Sequence, residues 1–102
     1  MLELRPICEN CACALPPNSA EARICSFECT FCAECVETVL DNVCPNYGGG
    51  FASRPVRPQH DWRGGNCLER YPASAKLKHR PVDLQIHMMF AGQFKDLPPG
   101  ER

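Results

Sequence analysis

Three observations predict a small α+β domain stabilised by metal, with a short β-hairpin and one helix, followed by an irregular tail. Eight of the nine cysteines fall before residue 45, most of them in close pairs. Apolar residues recur at helical spacing between the last two of these pairs. After residue 50 the periodicity fades, and proline, glycine and basic residues take over. A chain of 102 residues fits one small domain plus a tail. A folded region of about 50 residues buries too little apolar surface to be comfortably stable without a staple.

The staple is either disulfide or metal. The start Met1-Leu2-Glu3-Leu4-Arg5-Pro6 lacks the apolar stretch of a secretory signal, and acids come early. No apolar run approaches the length of a membrane span. These features predict a reducing, cytoplasmic setting, where clustered cysteines read as metal ligands. Net charge is −1, unevenly divided. Residues 1–50 carry seven acids against two arginines, a balance of −5, whereas residues 51–102 carry nine Lys/Arg against five acids, a balance of +4. The expected organisation is a zinc module over 1–50, a basic Pro/Gly-containing linker over 51–80, and a C-terminal segment with a short helix over 81–102.

Leu2–Arg5 alternates and reads as a short edge strand stopped by Pro6. Cys8–Cys13 is a knuckle turn, and Leu15-Pro16-Pro17-Asn18-Ser19 is a loop. Ala22–Phe27 reads as a strand, which puts Cys25, Phe27 and Cys29 on one face by period two. Phe31–Asn42 reads as a helix whose apolar face is Val36, Val39, Leu40 and Val43. Cys32 and Cys35 stand at its start, where the helix dipole favours a thiolate. Cys44-Pro45 opens a last knuckle, and Gly48-Gly49-Gly50 releases the chain. Arg54–Pro58 is extended and basic, and His60–Ala75 is irregular. Pro81 opens a helix through Phe94 with Val82, Ile86, Met89, Phe90 and Gln93 along one side.

The ligand ladder reads Cys8-x2-Cys11, Cys25-x3-Cys29, Cys32-x2-Cys35 and Cys44-x2-Tyr47. Four pairs are what two tetrahedral zinc ions require, since each takes four S or N ligands at about 2.0–2.3 Å. If alternate pairs share an ion, Cys8, Cys11, Cys32 and Cys35 form site 1, and Cys25, Cys29 and Cys44 form site 2. That order is the cross-brace of RING-type domains, which the spacing resembles. A treble clef with one zinc at Cys8, Cys11, Cys32 and Cys35 is the alternative. Two zinc ions follow from the pattern, or one if Tyr47 costs the second site.

A closer resemblance rests on three runs: Met1-Leu2-Glu3-Leu4-Arg5-Pro6, Glu21 through Cys32, and Cys44-Pro45-Asn46. They resemble DUF1272, a small, mainly bacterial cysteine-rich family of unknown function, over residues 1–58. That resemblance implies a small metal-binding module, and the family brings no assigned activity to carry over. The family pattern ends Cys-Pro-x-Cys, so Tyr47 departs from it, and Cys13 is extra.

A phenol, with a pKa near 10, is a poor zinc ligand at neutral pH. Site 2 is then completed by water, by His60 or Cys67, or by Cys13; otherwise it is lost and Tyr47 packs as a core aromatic. His60, His79 and His87 form no metal motif, and Cys13 and Cys67 read as free thiols. Trp62 with Arg63 reads as an anchor for the tail, and Met88-Met89-Phe90 as core or a contact surface. No catalytic constellation stands out. The function expected is a protein-interaction scaffold or adaptor, with another protein as partner. The alternatives are nucleic-acid binding, which the acidic module opposes, metal or redox sensing, and a RING-type ubiquitin-ligase-like role. Glu9-Asn10 and Gly48 fit the last poorly, because such ligases place an aliphatic residue and a basic residue there.

Overall fold

The computed structural model describes all 102 residues. Its sheet has three antiparallel strands in the order β2-β1-β3: β1 is Ala22–Ile24, β2 is Thr30–Cys32 and β3 is Ala52–Ser53. Ala22 pairs with Cys32 and Ile24 with Thr30, while Arg23 faces Ser53 on the other edge. Helix α1, Ala33–Thr38, follows β2 directly, and α2, Leu84–Ala91, lies in the tail. A 3-10 turn over Pro99–Glu101 ends the chain.

Only 20 residues are buried. The main buried cluster has 11 members, and six of them are cysteines: Cys8, Cys25, Cys29, Cys32, Cys35 and Cys44. The hydrocarbon part is small, with Leu15, Ala22, Phe31, Val36 and Leu40 inside and Phe51 packed edge-on against Phe31 at 5.5 Å. So little apolar burial leaves the fold dependent on what the cysteines bind.

Several elements differ from the expectation, each for a local reason. Leu2–Arg5 forms no strand: Leu4 is buried, and Arg5 turns to pair with Glu9 at 3.0 Å. The strand beginning at Ala22 stops at Ile24, not Phe27. The chain must reverse there to bring Cys25 and Cys29 together, and Glu28 takes a positive φ of 66° to do so. Phe27 is left on the surface. Helix α1 ends at Thr38, short of Asn42, because Asp41 and Asn42 are left-handed, with φ of 51° and 55°. Asp and Asn tolerate that region better than most residues. Of the four residues expected on its apolar face, Val36, Leu40 and Val43 are buried and Val39 is half-buried, but only Val36 lies within the helix.

The tail is irregular apart from β3, α2 and the final 3-10 turn, and it is tied to the module at several points. Arg54, expected in an extended basic segment, is buried. Its guanidinium donates to the carbonyls of Arg5 (2.8 Å), Leu15 (3.1 Å) and Pro16 (2.9 Å). Burial pushes its pKa below the usual value. Arg57 donates to the carbonyls of Tyr71 and Leu2. The Ser74 N–H then reaches the Leu4 carbonyl and the Arg80 N–H that of Glu9. In α2, Asp83 caps the first turn by accepting from the Ile86 N–H. The inward residues are His87 and Ala91, while Ile86 and Met89 point to solvent. The helix is anchored by polarity rather than by its apolar stripe: the His87 ring bonds the Leu40 carbonyl at 2.9 Å. The radius of gyration, 14.6 Å, exceeds the roughly 13 Å of a compact domain this long, as a tail laid along a module requires.

Arg54→Ala leaves three carbonyls without their charged donor. It is expected to destabilise the metal-loaded protein by about 3 kcal/mol, measured by urea unfolding. An unchanged midpoint would mean that water replaces the guanidinium freely.

Candidate metal centre

The four ligand pairs alternate in space. Cys8, Cys11, Cys32 and Cys35 bring their sulfurs within 4.8 Å of one another, and so do Cys25, Cys29 and Cys44. First pair meets third and second meets fourth, the order expected of a cross-brace. Sulfurs held 2.3 Å from one tetrahedral centre stand about 3.8 Å apart. The Cys11 and Cys32 sulfurs are 3.8 Å apart. Each group can hold a metal ion.

Two of the turns that carry these sulfurs repeat the same backbone. In the first knuckle the Ala12 N–H donates to the Cys8 carbonyl at 3.0 Å, and the Cys8 N–H to the Cys13 carbonyl at 3.0 Å. In the last, the Gly48 N–H donates to the Cys44 carbonyl at 2.8 Å, and the Cys44 N–H to the Gly49 carbonyl at 2.8 Å. Ala12 and Gly48, at matching places, both have positive φ, 63° and 81°. At Gly48 an added Cβ would also meet the Phe94 ring at 3.1 Å. Tyr47 therefore occupies the place in its knuckle that Cys11 occupies in the first. Its ring turns outward, 59% exposed, and stacks on Phe27 with centroids 4.5 Å apart. It is not the core aromatic that one alternative required. His60, Cys67 and Cys13 do not join Cys25, Cys29 and Cys44 either. His60 is exposed beside Trp62, and Cys67 is buried in the tail. The Cys13 thiol lies against Cys11 and Cys32 of the other cluster.

Donors to sulfur mark both clusters. The Cys35 N–H donates to Cys32 Sγ, so Cys32 caps α1, and the Phe27 N–H donates to Cys25 Sγ at 3.3 Å. Two asparagines do the same within their own clusters, each reaching from its knuckle to a sulfur on the opposite side. Asn10 Nδ2 donates to Cys35 Sγ at 3.3 Å and Asn46 Nδ2 to Cys29 Sγ at 3.4 Å. Both were missed as site residues, although they share one signal: each is the second residue inside its knuckle, Cys-x-Asn. Glu9 was also missed. Its buried carboxylate accepts from Arg5 and, at 2.7 Å, from the Thr30 N–H, which docks the first knuckle on β2.

The thiols are poised unequally. Burial pushes those of Cys8, Cys29 and Cys35 up, and that of Cys44 up to about 12. The Cys13 backbone N–H brings Cys11 down to about 7. Most of these sulfurs carry protons at neutral pH until an ion displaces them.

The profile of one family, "Protein of unknown function (DUF1272)", matches residues 1–57. The chain belongs to the DUF1272 family. The matched part contains all seven grouped sulfurs, all three strands and the Arg54 anchor. The chain is 52% identical over 81 residues to Uncharacterized protein R02474 of Rhizobium meliloti (strain 1021), a stretch covering 79% of this chain and 89% of that relative. No solved structure matches the chain. No helix is long and apolar enough to cross a membrane.

Because protons compete with the ion, metal affinity should fall as pH is lowered. Between pH 8 and 6 we expect a loss of more than about tenfold per unit, measured by competition with a chelator of known pH dependence. A pH-independent affinity would show that these thiols are not the ligands.

Proposed function

We propose that this protein is a zinc-binding scaffold or adaptor, in which the ion fixes a RING-like cross-brace that presents a surface to another protein. The observation that carries the metal reading is the pair of matched knuckles, each with an Asn–sulfur bond to the opposite side of its own cluster. Zinc suits the four-sulfur group of Cys8, Cys11, Cys32 and Cys35, where all four positions of a closed structural site are supplied by the chain. Cys25, Cys29 and Cys44 provide a second ion position with three protein ligands. Structural zinc of this kind contributes on the order of 10 kcal/mol to folding, which offsets the small core.

The interaction reading is supported by apolar surface the fold leaves in water. Leu84, Ile86, Met88 and Met89 on α2 are 59–75% exposed. Flexible, polarisable methionine is common at surfaces that bind proteins.

Elemental analysis of protein purified without added metal should give at least one zinc per chain and little iron. Cys32→Ser should lose that zinc and unfold; a metal-free wild-type chain that is still folded would sink the reading. The double variant Leu84→Glu, Met88→Glu should keep its zinc and fold but lose protein partners cross-linked to the wild type in cells. Unchanged cross-links would remove α2 from the interaction surface.

A further inference from the structure

The second cluster differs from the first in a way that selects its ion. Its three sulfurs are deeply buried, Cys25 3%, Cys29 4% and Cys44 0% exposed, whereas Cys11 of the first cluster is open to solvent. Two of the three accept from a nearby N–H: Cys25 from the Phe27 backbone and Cys29 from the Asn46 side chain. The knuckle backbone that would present a fourth donor is fully formed, with the same hydrogen bonds as the first. Only the side chain is wrong for zinc, and it leans away onto Phe27. No other His, Cys, Asp or Glu joins the group. The chain thus builds three soft donors into a buried, hydrogen-bonded pocket and no fourth.

Resting on the metal-binding reading above, we propose that Cys25, Cys29 and Cys44 form a three-thiolate site for a thiophilic ion satisfied by three sulfurs, of the trivalent arsenic class. Zinc held by three protein ligands needs water or another donor as its fourth; trivalent arsenic does not. In trivalent arsenic a lone pair occupies the fourth corner. The reaction is a ligand exchange without redox change. Arsenous acid and three thiols give three As–S bonds and three waters, each thiol proton leaving with a hydroxide of the acid. The product is uncharged, while three thiolates on Cu(I) carry two net negative charges. Burying charge without a partner is costly, so the neutral complex suits this pocket better. Cu(I) shares the three-sulfur chemistry and is the other source to be distinguished.

The experiment treats the full-length, zinc-loaded protein anaerobically with one equivalent of arsenite or, separately, of Cu(I) supplied as its acetonitrile complex. Intact mass and zinc content are read together. The expected result is one arsenic per chain with the site-1 zinc retained. Tyr47→Cys, at an exposed position on a knuckle already shaped for a thiolate, should hold a second zinc and bind arsenite at least about tenfold more weakly. Cys44→Ser should abolish uptake, and Tyr47→Cys keeps the test decisive if that variant fails to fold. Uptake of Cu(I) but not arsenite, with site-1 zinc retained, would uphold the three-sulfur site and name the monovalent ion. Refusal of both, or displacement of site-1 zinc first, would overturn the proposal. A chain that holds no zinc at site 1 would instead overturn the metal reading on which it rests.

Discussion

Convergence of Cys8 and Cys11 with Cys32 and Cys35 closes one loop of chain, and convergence of Cys25 and Cys29 with Cys44 closes another that overlaps it. The segment from Cys25 to Cys32 belongs to both. Neither cluster can therefore open without pulling on the β1–β2 hairpin, which carries Cys25 and Cys29 of one cluster and Cys32 of the other. This interlock bears the weight that a larger protein would place on hydrocarbon. With so few buried residues, the conformational entropy of the chain would otherwise prevail.

Local hydrogen bonds shape the turns, and they divide the labour with the sulfurs. Glu9 joins the first knuckle to β2 through the Thr30 amide. Asn10 joins the same knuckle to Cys35, and Asn46 joins the last knuckle to Cys29. Asn10 has a further part, since its Oδ1 accepts from the Val82 N–H and its carbonyl meets the His79 ring. One side chain thus touches a cluster sulfur and the strap that leads into α2. Tail and candidate metal centre share a residue, which gives the stretch just before α2 a fixed place despite its lack of regular structure.

What could be read from the sequence was whatever repeats at short range. The Cys-x2-Cys and Cys-x3-Cys spacings gave both sulfur groups, and the period of Val36, Leu40 and Val43 marked three residues that turn inward, although only Val36 lies in α1. Long-range polar contacts leave no such periodic mark. Arg54 looked like one more charge in a basic stretch, and only its three carbonyl partners, some 38–49 residues away, make it a core residue. The face of α2 was misjudged for a related reason. Its apolar residues favoured one side, but the Leu40 carbonyl at the end of α1 draws His87 inward. The positions of Asp41 and Asn42 beyond α1 follow from backbone handedness, which composition hints at but does not fix.

Residues 59–66 form a surface excursion that returns close to where it started. Their base is pinched by the Leu68 N–H on the Pro58 carbonyl and by Arg57 on Tyr71. Nothing downstream depends on the length of this excursion, because both of its ends are held independently of what lies between. Doubling a flexible loop costs only about 0.6 kcal/mol in closure entropy. Here evolution, or an engineer, has a socket: a peptide tag or a small domain inserted near Gly64-Gly65 would ride outside the sulfur interlock, leaving its register untouched.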